Sequence, residues 1–149
     1  MKKIRLAVSL VVLIAGFASV AHADLNSFMN NVNVQAQTDM KGFSFKLSAQ
    51  FGVPVAQVNA VISHVSAPAD AFMVFQLGQM THKQPEAVMQ TYERGRGKGW
   101  GELAKELGIK PGSAEFHALK RGDLSFTGEP NGGGHGNGNG KGRGKGHNK

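Results

Sequence analysis

Two segments of this chain end in the same way, and that ending narrows the folds open to it. Leu47-Ser48-Ala49-Gln50-Phe51-Gly52-Val53 and Leu103-Ala104-Lys105-Glu106-Leu107-Gly108-Ile109 each carry apolar residues four apart, then a glycine, then another apolar residue. Glycine reaches the left-handed conformation at little cost, so it stops a helix and lets the next residue fold back on the last turn. A proline follows each (Pro54, Pro111), and a new helix is expected beyond it. The stretch from Leu77 to Tyr92, with Pro85, imitates the device loosely. The implied fold is all-α, a compact bundle of short helical hairpins with about five to seven helices, with a hint of degenerate duplication.

The apolar residues recur at helical spacing along most of the chain. Met40, Phe43, Leu47 and Phe51 share one stripe, in a segment that Thr38 or Asp39 can cap. Phe43, Phe45 and Leu47 also alternate, which leaves a short strand open there. Val55, Val58, Val61 and Ile62 form a second stripe, with Pro54 suited to a first helical position. Ser66, Pro68 and Asp70 signal a further start, and the segment they open, Ala71 to Leu77, is apolar all round, as a central buried helix is. Gln84-Pro85-Glu86 begins another helix with Val88, Met89 and Tyr92 inward, and Trp100, Leu103, Ala104 and Leu107 make the next stripe. Ser113 caps a last short helix, with Glu115 near its positive end and Phe116 and Leu119 facing in.

The N-terminus predicts export. Met1-Lys2-Lys3-Ile4-Arg5 is a positive start, Leu6 to Val20 is a nearly unbroken apolar run, and Ala21-His22-Ala23 is a small-x-small cleavage signature. The run is shorter than the roughly 20 residues of a membrane span, so an uncleaved anchor is the lesser alternative. A signal peptide at 1–23, cleaved after Ala23, leaves a chain that starts at Asp24 and works in the periplasm or outside the cell, with no transmembrane segment. The composition then divides it into a helical domain at 24–126 and a Gly/Asn/His/Lys-rich basic tail at 127–149, expected to be disordered. With no cysteine anywhere, disulfides, a thiolate metal site, a cysteine nucleophile and a lipid-modified N-terminus are all excluded.

Charge follows the same division. Between Asp24 and Glu129 ten Lys and Arg are matched by ten Asp and Glu, whereas the last twenty residues hold Lys141, Arg143, Lys145 and Lys149 and no acid. Basicity is therefore a property of the tail.

The spacing of Leu47, Phe51, Gly52, Val53, Val58 and Val61 also matches a DNA-binding helix-turn-helix. The would-be recognition helix, Pro54 to Ser63, contains no Arg or Lys, and phosphate contact supplies most of the affinity of such proteins. Sequence-specific DNA binding is excluded on that ground and by the export signal.

Arg94-Gly95-Arg96-Gly97-Lys98-Gly99-Trp100-Gly101 interleaves three cations with glycine, and Gly-Arg-Gly-Lys-Gly recurs at 142–146. Successive glycine amides can turn toward an anion, so Arg94, Arg96 and Lys98, with Lys141, Arg143, Lys145 and Lys149, are the candidate anion-binding residues. The bland alternative for the first group is a connector that exposes its charges, with Trp100 in the core. An anionic glycan, a lipid headgroup or another polyanion is the ligand chemistry that suits the tail, which has no aromatic residue for base stacking.

No catalytic constellation stands out. His64, His82 and His117 are scattered, no His-Glu-x-x-His spacing occurs, the serines lack a nucleophile-elbow context, and no pair of carboxylates suggests an acid and a base. No cofactor is implied. Met73, Met80, His82 and Met89 are conceivable soft-metal ligands, with His135 and His147 in the tail, although methionine at such spacing more often fills a core.

The run from Gly97-Lys98-Gly99-Trp100-Gly101 through Leu107-Gly108-Ile109-Lys110-Pro111-Gly112-Ser113 to Phe116-His117-Ala118-Leu119-Lys120 resembles an uncharacterised family of small exported bacterial proteins with Gly/Lys-rich tails. That resemblance implies a periplasmic or surface location and brings no activity, ligand or catalytic residue. The expectation is a non-catalytic binding or interaction module of the envelope, with a periplasmic metal-binding protein as the alternative.

Overall fold

The segment that is apolar on every side becomes the axis of the molecule, since only a central position takes all of its surface out of water. The structure, a computed structural model, describes residues 24–128; residues 1–23, where the signal peptide is expected, and residues 129–149 lie outside it. Seven α-helices follow in order: α1 (Leu25–Thr38), α2 (Met40–Phe51), α3 (Val55–His64), α4 (Pro68–Thr81), α5 (Pro85–Arg94), α6 (Trp100–Leu107) and α7 (Ala114–Arg121). There is no strand among the described residues. Phe72, Met73, Val74 and Leu77 of α4 are completely buried, and α4 packs against α1, α2, α3, α5 and α6. The rings of Phe28, Phe51 and Phe126 surround Phe72 at centroid distances of 5.1, 5.6 and 5.8 Å. Burying each such ring is worth roughly 2–3 kcal/mol.

The twin helix stops form as expected. Gly52 (φ 65°) and Gly108 (φ 106°) are left-handed, and the N–H of Val53 and Ile109 donates back to the carbonyls of Ser48 and Ala104 at 3.2 and 2.9 Å. The looser middle copy proves to be the same motif. Lys83 N–H donates to Gly78 O at 2.9 Å, and the residue that turns left-handed is His82, with φ 53°. His82 is the one non-glycine residue among those described with positive φ. Its Cβ crowds the backbone there, so His82→Gly is expected to raise stability by about 1 kcal/mol. Thermal unfolding checks this, and a lower melting temperature would contradict it.

Three local features add detail to that reading. The 43–47 stretch is helical, so Phe43 and Leu47 turn inward and Phe45 faces solvent. The start signalled by Ser66, Pro68 and Asp70 forms. The first residue is Pro68, the Asp70 carboxylate accepts from Ala67 N–H at 3.1 Å, and Asn33 of α1 accepts from Ala69 N–H at 2.8 Å. Lastly, α1 was not foreseen. Asn26, Asn30, Asn31 and Asn33 make it a poor helix on propensity, and it is held by burial of Val32 and Ala36 and by Phe28 against Phe72.

The chain past α7 is also structural. Residues 123–128 run back over α2, where the buried Gln50 side chain donates to Ser125 O at 2.7 Å. Its amide oxygen accepts from Thr127 and Gly128 N–H at 3.1 and 3.2 Å, two residues beyond the expected 24–126 span. Phe126 packs on Phe43 at 5.2 Å.

Two exposed carboxylates respond to helix starts. Asp24 caps α1 by accepting from Ser27 N–H at 2.9 Å, and that bond holds its pKa below the usual carboxylate range. Glu115, in the first turn of α7, is lowered by its own backbone N–H and then by the Ser113 hydroxyl. Because folding lowers both values, their contribution is complete above the unfolded carboxylate pKa and is lost as pH falls through the folded one. Protection of the Ser27 amide against hydrogen exchange should therefore fall below about pH 4, ahead of amides in α4. Equal loss at both places would contradict this.

Candidate functional site

The 94–101 segment joins α5 to α6, and the structure gives each of its cations an acceptor. Gly95 closes α5 by donating to Thr91 O at 2.9 Å, and Lys98 N–H returns to Gly95 O at 2.8 Å, making a tight turn. A Cβ at Gly95 would meet the end of the Leu103 side chain and crowd the Thr91 carbonyl, so a larger residue there would force Leu103 to shift. Arg94 Nη2 donates to Thr91 Oγ1 at 3.4 Å. Arg96 Nη2 donates to the His64 carbonyl at 3.3 Å, at the C-terminal end of α3, where the helix dipole favours a cation. Lys98 Nζ pairs with Glu106 Oε1 at 2.5 Å. The other ion pairs among the described residues are Lys105–Glu102 and Arg121–Asp123, so Arg94 and Arg96 have no carboxylate partner there. All three loop cations are exposed. They fasten the connection between α5 and α6, and only Lys98 has its charge offset.

Beneath this loop lies a polar cluster that sequence reasoning missed. The Asp70 carboxylate accepts from Tyr92 O–H at 2.9 Å and Ala67 N–H on Oδ2, and from Trp100 Nε1–H at 3.2 Å on Oδ1. The Tyr92 hydroxyl accepts from Ser66 N–H at 3.0 Å and lies 3.1 Å from Ser66 Oγ, and its ring stacks on Trp100 at 5.3 Å. Trp100 is thus a core residue and also a hydrogen-bond donor. The carboxylate of Asp70 on α4 takes donors from the α4 N-cap residue Ala67, from α5 and from α6, and no buried side-chain polar atom among the described residues lacks a partner. This arrangement ties three helices together.

The soft-metal candidates are divided. Met73 is completely buried in the core. Met80 and His82 line a cleft of about 370 Å³ with Ile109 and Glu115, whereas Met89 lines another, about 310 Å³, with His64, Glu86 and Glu93. No group of three His, Asp or Glu side chains among the described residues could hold a metal ion. Gln57 of α3 donates to Glu86 of α5 at 2.7 Å. No single helix among the described residues is long and apolar enough to cross a membrane. Lys141, Arg143, Lys145 and Lys149, with His135 and His147, lie outside the described residues. No family model, curated protein or solved structure matches the chain.

Proposed function

We propose that this is an exported, non-catalytic binding module of the bacterial envelope, in which a charge-balanced helical domain carries a basic tail that contacts polyanions. The charge division carries the proposal: ten cations against ten acids from Asp24 to Glu129, then four cations and no acid. Two structural features support it. The bond between Ala23 and Asp24 precedes α1, so cleavage there spares every helix. Gln50 and Phe126 pin the chain leading into the tail against α2, which gives the tail a fixed point of departure.

Exposed cations spaced by glycine bind phosphate, sulfate or carboxylate groups without sequence choice. The chain from Asp24 to Lys149 should bind heparin at low salt and release it as salt screens the charges. A version ending at Glu129 should bind far more weakly. Equal binding by the two would overturn the proposal.

A further inference from the structure

The large apolar side chains left open to solvent fall in one part of the described chain: Val34 (61 % exposed) on α1, and Met40 (42 %) and Phe45 (53 %) on α2. Phe45 lies outside the core cluster. Phe43, Leu47 and Gln50 turn to the core, which puts Phe45 and Ala49 on the opposite side of the helix. Lys41 stands one turn before Phe45 and Lys46 beside it, both exposed, with Lys46 Nζ 5.7 Å above the Phe126 ring. Neither α1 nor α2 contains an acidic residue. The acids that cap them, Asp24 and Asp39, are engaged with the N–H groups of Ser27 and Gly42. The strap held by Gln50 delivers the tail to this same helix.

We propose that the outer face of α2 is a docking surface for an anionic lipid membrane, Phe45 entering the headgroup layer while Lys41 and Lys46 meet lipid phosphates. This names the partner class for the tail reading above and rests on it for the extra charge. A glycan or nucleic acid offers negative charge but no apolar layer, so it leaves Phe45 in water. A bilayer interface takes that ring, as it does with other amphipathic surfaces that combine lysine and phenylalanine.

The test uses the chain from Asp24 to Lys149, vesicles of phosphatidylglycerol and phosphatidylcholine, and heparin as a polyanion without an apolar layer. Phe45→Ser, at an exposed position, should weaken vesicle binding about tenfold and leave heparin binding unchanged. Lys41→Ser should cost about fivefold on vesicles. The proposal is overturned if Phe45→Ser changes vesicle affinity less than about twofold, or weakens heparin equally. Loss of both activities on removing residues 130–149, with no effect of Phe45→Ser, would leave the tail reading standing and remove this one. Undiminished heparin binding without the tail would remove the tail reading instead.

Discussion

Asp70→Ala should lower the stability of the domain by about 3 kcal/mol, because it leaves three donors, two of them on α5 and α6, without their acceptor. Tyr92 O–H, Trp100 Nε1–H and Ala67 N–H all converge on that carboxylate, and Tyr92 and Trp100 are buried residues. A loss of that size corresponds to a melting temperature lower by about 10–20 °C for a domain of this length. Asp70→Asn should cost less, since its amide oxygen still accepts while its NH2 group faces a donor. Trp100→Phe removes one of the stranded donors, so alanine at position 70 should cost about 1 kcal/mol less in that background. The single tryptophan reports directly, and its emission should shift to the red as Trp100 loses Asp70 and moves from Tyr92. A stability loss below about 1 kcal/mol, the level of an exposed pair, would contradict the cluster's role in joining α4, α5 and α6.

The second large effect concerns the strap. A chain ending at Asp123 should be about 3 kcal/mol less stable than one ending at Glu129, since it strips Leu124 and Phe126 from the core and removes the bonds of Gln50 to Ser125, Thr127 and Gly128. Phe126 touches both Phe43 and Phe72, so its removal opens the aromatic group at the centre of the fold. Gln50→Ala should weaken the same attachment while leaving the rings in place, and should cost about 2 kcal/mol. The chain ending at Glu129 should melt with the longer one, because residues 130–149 include no apolar side chain to bury. Equal melting of the chains ending at Asp123 and Glu129 would show that the strap contributes nothing to the fold.

Both effects lie where the sequence was hardest to read. Helix stops at Gly52 and Gly108 and starts at Pro85 and Ser113 are local signals, and the apolar character of 71–77 placed α4 at the centre because one segment carried the whole pattern. Asp70 meets Tyr92 and Trp100 across 22 and 30 positions, and Gln50 meets Ser125 across 75. No spacing rule connects residues so far apart, and each alone has an ordinary role as cap, core ring or surface amide. The α1 helix was hidden for another reason: its asparagines oppose helix formation locally, and tertiary burial overrides them. At the candidate site the loop cations were legible as residues, while their acceptors on α3, α5 and α6 were not.

Those acceptors sharpen the division of labour. Arg96 and Lys98 hold the α5–α6 turn, and the proposal above assigns anion contact to the tail. The most direct measurement is the salt dependence of binding to duplex DNA, used only as a polyanion of regular charge spacing. Each cation that displaces a condensed counterion steepens the log–log slope by about 0.9, so replacing Lys141, Arg143, Lys145 and Lys149 with serine should flatten it by about 3 to 4. An unchanged slope would place the binding cations on the domain and contradict the tail's role.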